Sequence, residues 1–429
     1  MNKSQIKQLA GFYENELVNK FLAFWLPRCV DSECGGFVNC FDNRGEKLVS
    51  YDKYVWSQGR FVWVFSKLAS TTAPIFSEAQ KAEFLALAKH GVDFLMEHCL
   101  MGEDDWRCIF LLDREGNPKY VDGCDRLDMS VYADCFVVAG LSKYASVSGD
   151  EKVYAFAKKL FKSITARIVA NDFQTLPYPL SKHLRAHGIP MILCNVARDV
   201  YFAAEVLEPE YAPEVKYIIS RCSADILDNF VDEDTLLHEI IMAEDNSFFN
   251  KRLGMHINPG HTLEDAWFHL DAAEIMGEEW NDYRQKVYAV SKQALAKGWD
   301  EEFGGILHFA ALEGGKPDMD NSGFETETMS KQLDGWGDKL WWVHSEALYT
   351  CLRCYFETGD EFFNEWHEKL FDYVYTVYPN RDPEVREWMQ ILDREGKPMD
   401  AVVALPVKDP YHVMRNLILI VELLHAQLA

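Results

Sequence analysis

The chain has 429 residues, 48% hydrophobic and 26% charged, a composition typical of globular proteins that excludes general disorder. Its 43 basic and 68 acidic side chains give a net charge of −25, which excludes nucleic acid and anionic membranes as main partners. No apolar run approaches the ~20 residues that span a bilayer, and the start of the chain shows no signal peptide. Eleven cysteines, an odd number in a chain with no visible secretion signal, indicate reduced thiols, so we expect a cytoplasmic protein.

Helical periodicity dominates the chain, with apolar residues three and four apart in segments such as 17–25, 133–144 and 413–424. Six segments rich in Gly, Asp and aromatic residues separate the helical stretches. They begin near Asp31, Trp106, Thr175, Asp232, Trp299 and Trp388. Their mean spacing of about 71 residues fits two helices and a loop. Asp-Arg-Glu-Gly at 113–116 and 393–396 predicts tight hairpin turns in which the glycine takes a positive φ.

Six helical hairpins with short β-hairpins at one end predict an all-α fold, an (α/α)6 barrel of inner and outer helices. An open solenoid is the alternative. Both ends of the chain are as apolar as its middle, which favours a closed ring because solenoids need polar capping repeats. No Pro/Gly/Ser-rich linker interrupts the pattern, so residues 1–429 are predicted to form one domain.

Two motifs place titratable groups at predicted helix starts. Arg60 ends the string KYVWSQGR (53–60); it either pairs with a carboxylate or is a cation aimed at an enolate oxygen. In NPGHTLE (258–264), His261 and Glu264 are three apart and share a helix face. That arrangement is either a helix cap with an incidental histidine or an acid–base histidine placed by a carboxylate.

Two later motifs repeat this combination. KLWWVHSEA (339–347) puts Trp342, His344 and Glu346 on one helix, a stacking surface beside two titratable groups. Its His-x-Glu spacing is a weak metal signal, and we predict no metal. KDPYHVMR (408–415) places His412 at the start of another apolar-striped helix. Dinucleotide, P-loop and α/β-hydrolase motifs are absent from the sequence.

Position in the repeat links these residues. Arg60, His261, Glu346 and His412 all lie near the same end of helices that alternation makes inner ones, so a closed barrel would bring them to one pocket. Asp134 and Asn195 are further candidates for that pocket.

The strings quoted above, with Gly298-Trp299-Asp300 and Gly304-Gly305, resemble the N-acylglucosamine 2-epimerase family, whose vertebrate member is also called renin-binding protein. They occur in family order across residues 25 to 415. The resemblance implies an (α/α)6 barrel and reversible epimerisation at C2 of N-acetylglucosamine, which gives N-acetylmannosamine. It also implies a homodimer and, for some members, activation by ATP that is not consumed.

The resemblance implies catalytic roles for His261 and His412, supported by Arg60, Glu264 and Glu346. The residues expected to bind the sugar are Tyr54, Trp56, Gln58, Asp134, Asn195, Trp342, His344, Trp388 and Arg415. The chain departs from the family pattern at 386–390, at Met414 and between 401 and 409. A neutral sugar such as mannose or cellobiose, epimerised or isomerised to a ketose, is therefore an alternative substrate. The same barrel could also serve a glycoside hydrolase or a non-catalytic binding protein.

The chemistry explains why such residues are needed. C2 of an aldose is acidic only while C1 is an open-chain carbonyl, so the enzyme must open the ring. Inversion then requires an acid–base group on each face of C2, and histidine titrates near neutral pH. The enolate oxygen needs a preorganised cation, which Arg60 could supply. Neither a redox cofactor nor a metal is required.

Overall fold

The computed structural model describes residues 1–403 and 405–429. Within these ranges, long helices follow one another along the chain. They are α1 (Lys3–Glu16, continued by a π-helical stretch Leu17–Leu22 and a turn Ala23–Trp25), α2 (Val55–Ala69), α3 (Glu78–His98), α4 (Val131–Ser148), α5 (Glu151–Val169), α6 (Gly188–Leu207), α7 (Ala212–Asn229), α8 (Pro259–Met276), α9 (Asn281–Gly298), α10 (Trp341–Thr358), α11 (Glu361–Val377) and α12 (Tyr411–Ala426).

The even-numbered helices form a closed inner ring. Each packs against the next, from α2 through α4, α6, α8 and α10 to α12, and α12 packs against α2. Each odd-numbered helix covers an inner one from outside, and α1 covers α12, so the two ends of the chain complete the sixth pair. The predicted (α/α)6 barrel is confirmed, and the open solenoid is wrong. That residues 1–429 form one domain stays a prediction.

Burial patterns show why the helices take these layers. Inner helix α4 is surrounded by neighbours and buries most of its residues, whereas outer helix α5 buries one stripe at spacings of three and four, ending in Leu160, Phe161 and Ile164. Gly149, with φ of +74°, ends α4, and the Asp150 carboxylate then caps α5. Gly59 allows close contact within the ring, because a Cβ there would lie 2.3 Å from the Phe136 oxygen on α4.

Eight short strands form four antiparallel pairs at one end of the described barrel. The pairs are β1 (Lys53–Tyr54) with β2 (Leu111–Leu112), β3 (Leu184–Ala186) with β4 (Ile240–Met242), β5 (His256–Ile257) with β6 (Ala310–Ala311), and β7 (Lys339–Leu340) with β8 (Ile391–Leu392). Each pair joins two successive loops, and its first strand runs directly towards an inner helix. The predicted β-hairpins are present beside these pairs as antiparallel bridges, such as Leu112 with Pro118 and Leu392 with Pro398. The predicted glycine turns are confirmed: φ is +91° at Gly116 and +86° at Gly396.

A repeated ion cluster fixes two of these strand pairs. Buried Asp31 lies 3.1 Å from the Lys53 Nζ and 2.9 Å from the Arg114 Nε. Asp300 repeats this with Lys339 at 3.0 Å and Arg394 at 2.9 Å. The clusters hold the starts of α2 and α10 in place. None of the described helices is long and apolar enough to cross a membrane.

Candidate active site

The N-terminal turns of the inner helices meet inside the strand-bearing end of the ring. They carry the polar side chains Arg60 on α2, His261 and Glu264 on α8, Trp342 and Glu346 on α10, and His412 and Arg415 on α12. Strands β1, β5 and β7 lead directly into α2, α8 and α10, so the strand pairing sets where each helix begins.

His412 is held by a carboxylate on one side of its ring. Its Nδ1 lies 2.8 Å from the Glu346 Oε1, and its Nε2 lies 3.4 Å from the Arg60 Nη2. An ionised carboxylate only accepts hydrogen bonds and a guanidinium only donates them, so the proton sits on Nδ1. The neutral form of the His412 ring therefore carries its lone pair on Nε2.

His261 has the same arrangement on the other side of the site. Asn258 caps α8 by accepting a hydrogen bond from the His261 backbone N–H at 3.1 Å, which places His261 in the first turn. The Nδ1 lies 2.9 Å from the Glu239 Oε1. Burial raises the pKa of Glu239, but His261 and His187 lower it more, well below its usual range. Glu239 is thus ionised, the His261 proton sits on Nδ1, and Nε2 is left free.

Trp342 is a neighbour of both histidines. Its ring centroid is 5.2 Å from that of His261 and 5.7 Å from that of His412. The two imidazole centroids therefore lie no farther apart than the sum of these distances, and both rings border the same indole. The His261 side chain is 34% exposed against 9% for His412, so the site opens towards solvent on the His261 side.

Arg60 lies among aromatic rings with one carboxylate partner. Its guanidinium carbon is 4.1 Å from the centroid of Phe136, 5.0 Å from that of Trp56 and 5.1 Å from that of Tyr411. Its Nη1 lies 3.3 Å from Asp409. Burial lowers the pKa of Arg60 and Asp409 partly offsets this, but arginine stays charged because its ordinary value exceeds 12. A cation with few partners can bind an oxyanion.

Arg415 links the two glutamates behind His412. Its Nη2 lies 2.5 Å from the Oε1 atoms of both Glu264 and Glu346, and the side chain is 1% exposed. Trp267 donates its indole N–H to the other oxygen of Glu346 at 2.9 Å. Burial raises the pKa of Glu346, but Arg415 and His412 lower it more, to about 2. Glu346 therefore stays ionised and keeps the His412 tautomer fixed.

Two clusters have metal-ligand composition: His187 with Glu239 and His261, and Glu264 with Glu346 and His412. In each, a histidine Nδ1 is hydrogen-bonded to a carboxylate of the cluster. The absence of a metal stays a prediction.

Three predicted sugar-binding residues lie elsewhere, which corrects the sequence interpretation. The Gln58 amide exchanges hydrogen bonds of 2.7 and 2.8 Å with the Phe37 backbone and is fully buried. The His344 Nε2 accepts the Ile306 N–H at 2.9 Å, and burial lowers its pKa to about 3. The Trp388 ring is 1% exposed and packs on Tyr378 at 5.4 Å. All three side chains serve the packing of loops and outer helices.

Two others, Asp134 and Tyr54, are held by contacts with residues outside the histidine cluster. Asp134 lies 2.6 Å from Arg167 on outer helix α5; burial raises its pKa, to about 6, and Arg167 opposes this. Tyr54 packs edge-on against Phe110 at 5.8 Å in a separate small cluster. Asn195 is buried on α6. Trp56, by contrast, stacks on Phe136 at 5.3 Å beside Arg60.

Sequence reasoning missed Glu239 and Asp409, and it noted His187 only as the start of a helix, without a role. The pairing of Ala186 with Ile240 in β3–β4 puts His187 opposite Glu239, a contact between loops that no spacing reveals. Asp409 carried a signal, since Asp-Pro before a helical stripe is a helix start. Its carboxylate accepts the N–H groups of Tyr411 at 3.2 Å and His412 at 3.3 Å.

Comparisons with known proteins agree with this geometry. The profile of the N-acylglucosamine 2-epimerase (GlcNAc 2-epimerase) family matches residues 35–416. The N-acylglucosamine 2-epimerase of Mus musculus is 30% identical over 97% of this chain and 91% of its own. A cellobiose 2-epimerase of Ruminococcus albus is 23% identical over 92% and 94%. The structure of a cellobiose 2-epimerase from Bacillus thermoamylovorans superposes with a TM-score of 0.74 at 22% identity, covering 97% and 99%. The family resemblance read from the sequence is confirmed.

Proposed function

The chain belongs to the N-acylglucosamine 2-epimerase family and is thus an isomerase, and on that premise we propose that it interconverts N-acetylglucosamine and N-acetylmannosamine. One observation carries the mechanism. His261 and His412 both lie beside Trp342, and each has its Nδ1 bound to a carboxylate, which leaves Nε2 as the basic nitrogen; in His412 this nitrogen faces the Arg60 guanidinium at 3.4 Å. Two such bases suit removal and delivery of a proton on opposite faces of one carbon.

The reaction begins once the sugar ring has opened and C1 is an aldehyde. One histidine Nε2 removes the C2 proton, and the electron pair moves through C1–C2 onto the carbonyl oxygen. Arg60 stabilises that oxyanion in a largely buried site. The other histidine, protonated, then delivers a proton to C2 from the opposite face and inverts it. The two histidines have exchanged protonation states, which exchange with water restores.

The carboxylates act through the histidines. Glu239 and Glu346 hold each ring with its proton on Nδ1 and stabilise the imidazolium that forms. Arg415 and Glu264 keep Glu346 in place. The ring of Trp342, with Trp56 beside Arg60, offers an aromatic face for the C–H face of the sugar.

The same charges disfavour the glycosidase alternative. A glycosidase needs a carboxylic acid with a raised pKa as proton donor. The pKa of Glu346 is instead lowered to about 2, and its Oε1 shares an arginine nitrogen with Glu264. We propose the N-acylated sugar as substrate because of the relatives: the mouse N-acylglucosamine 2-epimerase is 30% identical to this chain, whereas the cellobiose 2-epimerase is 23% identical.

Further proposals concern assembly and regulation. We propose a cytoplasmic homodimer that needs neither a metal nor a redox cofactor and that ATP activates without being consumed. Light scattering measures the mass in solution, and rates and melting temperatures with and without millimolar ATP test the activation. A monomer, or identical rates and melting temperatures, would contradict these proposals.

The experiment for the main proposal uses NMR in D₂O. N-acetylglucosamine, mannose and cellobiose are incubated separately with the protein, and the spectra report product, C2 epimer and deuterium at C2 together. We expect N-acetylmannosamine labelled at C2 from the first sugar. Conversion of mannose or cellobiose alone would assign the neutral-sugar alternative, and binding of a sugar without turnover would support a non-catalytic role.

A further inference from the structure

A chain of buried polar side chains extends from His261 into the wall of the barrel. Glu239 bonds to His261 through one oxygen and, through the other, to the His187 Nδ1 at 3.2 Å. The His187 Nε2 lies 3.5 Å from Asp265, which in turn lies 2.9 Å from His269. Ser223 ends the chain, with its hydroxyl 2.7 Å from the His269 Nδ1.

Both ring nitrogens of His187 face groups that only accept hydrogen bonds. A neutral imidazole has one N–H, so only the imidazolium satisfies Glu239 and Asp265 together. His187 is fully buried; burial lowers its pKa, but the two carboxylates raise it more, to about 10. The charges along the wall therefore alternate: negative on Glu239, positive on His187, negative on Asp265.

The second base has the same arrangement with a different cation. His412 is bound to Glu346, and Arg415 stabilises that carboxylate from behind. His261 is bound to Glu239, and His187 stabilises that carboxylate from behind, with its ring centroid 5.8 Å from that of His261. A buried carboxylate alone would favour the cationic form of the histidine it binds and leave less free base at neutral pH. A cation behind the carboxylate opposes this effect.

We propose that His187 is a positioning residue for His261: as a buried imidazolium between two carboxylates, it holds Glu239 in place and offsets that carboxylate's pull on the His261 proton. The inference rests on the proposed acid–base role of His261. His187 thus does for one base what Arg415 does for the other.

Three neighbouring titratable groups around this pair are neutral, and Glu264, on the same helix as His261, is paired with Arg415. Those facing His187 and His261 from neighbouring elements, besides Glu239 and Asp265, are Tyr132, His256 and His308. Burial raises the pKa of Tyr132 and lowers the pKa of His256 to about 4 and that of His308 to about 3. Near neutral pH, the charge that acts on His261 from these elements is therefore that of Glu239, His187 and Asp265.

The test is an NMR titration of the full chain with carbon-13 at the histidine ring Cε1. His187→Gln keeps a hydrogen-bonding amide but removes the charge. The midpoint of His261 should rise by about one pH unit, because Glu239 then acts unopposed, while that of His412 stays unchanged. Ser223→Ala, at the far end of the chain, is the matched control and should move neither midpoint. An unchanged or lowered His261 midpoint in His187→Gln would overturn the proposal.

The unmodified protein provides a test that does not depend on folding of the variant. The His187 signal, recognised by its ring contact with Phe230 (centroids 6.2 Å apart), should stay at the imidazolium position from about pH 6 to 9. A neutral ring in that range would refute the proposal.

A rate measurement adds a functional readout. In a His412→Asn background, only His261 can exchange the C2 proton, and it must be neutral to do so. Adding His187→Gln should therefore shift the acid limb of the pH profile of the exchange rate upward by about one pH unit. An unmoved limb would contradict the proposal. The NMR titration needs no substrate, so it stands or fails independently of sugar turnover.

Discussion

Replacing Arg60 separates an oxyanion role from a structural one. In Arg60→Ala the site loses the cation aimed at the developing enolate, and loss of one such donor lowers kcat by about 10²–10³. Asp409 would still accept the Trp341 indole N–H at 3.3 Å and the backbone N–H groups of Tyr411 and His412. The cost in unfolding free energy should therefore stay below the about 3–5 kcal/mol of a broken buried ion pair. Arg60→Lys should also be slow, because an ammonium lacks the planar fork.

The assay measures turnover per folded molecule together with chemical denaturation. Arg167→Ala is the matched control, since Arg167 also pairs with a buried aspartate but lies away from the histidines. It leaves Asp134 with the Cys108 backbone N–H at 3.1 Å. We expect this control to lose stability while it keeps its turnover. Turnover of Arg60→Ala close to that of the unmodified protein would remove Arg60 from the mechanism.

Three further predictions concern packing and charge. His344→Phe should leave the Ile306 N–H unsatisfied and cost about 1–3 kcal/mol in denaturation, with unchanged turnover per folded molecule; lost turnover would return His344 to the site. Gly59→Ala should destabilise the α2–α4 contact, since its Cβ would lie 2.3 Å from the Phe136 oxygen, and an unchanged melting temperature would refute that contact. Burial raises the pKa of Asp300, but Arg394 and Lys339 lower it more, so its pKa in the folded protein lies below the unfolded value of about 3.9. The stability that the ionised Asp300 contributes is therefore fully present above the unfolded pKa and is lost as the pH falls through the folded pKa. Asp300→Asn should thus lower the free energy of unfolding at neutral pH and reduce the further loss of stability below about pH 4. An unchanged pH dependence of stability in the acid range would contradict this.

The ring could be predicted from sequence because its signals are local and repeated. The spacing of apolar residues indicates helices, the regular spacing of the loop segments gives the number of helical hairpins, and the apolar ends of the chain favour a closed ring. The local hairpins could be predicted from their turn residues, whereas the four strand pairs join loops far apart in the chain and have no local signal.

The residues of the site could be predicted only where a sequence motif marks the start of a helix. Arg60, His261, Glu346 and His412 share that position, and the closed ring brings them together. Gln58 and His344 belong to the same motifs but lie two positions from Arg60 and Glu346, on the opposite side of each helix. Membership of a motif therefore does not show which side of the helix a side chain faces. The helical period of 3.6 residues could have supplied that information. Glu239 and His187 meet only through the β3–β4 register, which no local spacing encodes.

The central claim is that His261 and His412 serve opposite faces of C2, and deuterium exchange in two variants tests it most directly. His261→Asn and His412→Asn are each incubated with both N-acetyl epimers in D₂O, and C2 deuterium is measured by NMR. Neither variant should invert the sugar, because each turnover needs one abstraction and one delivery. The remaining histidine can still exchange a proton on its own face, so each variant should label one epimer, and the two variants should label different ones. Full epimerisation by either variant, or labelling of the same epimer by both, would contradict the two-base account and favour a single mobile base.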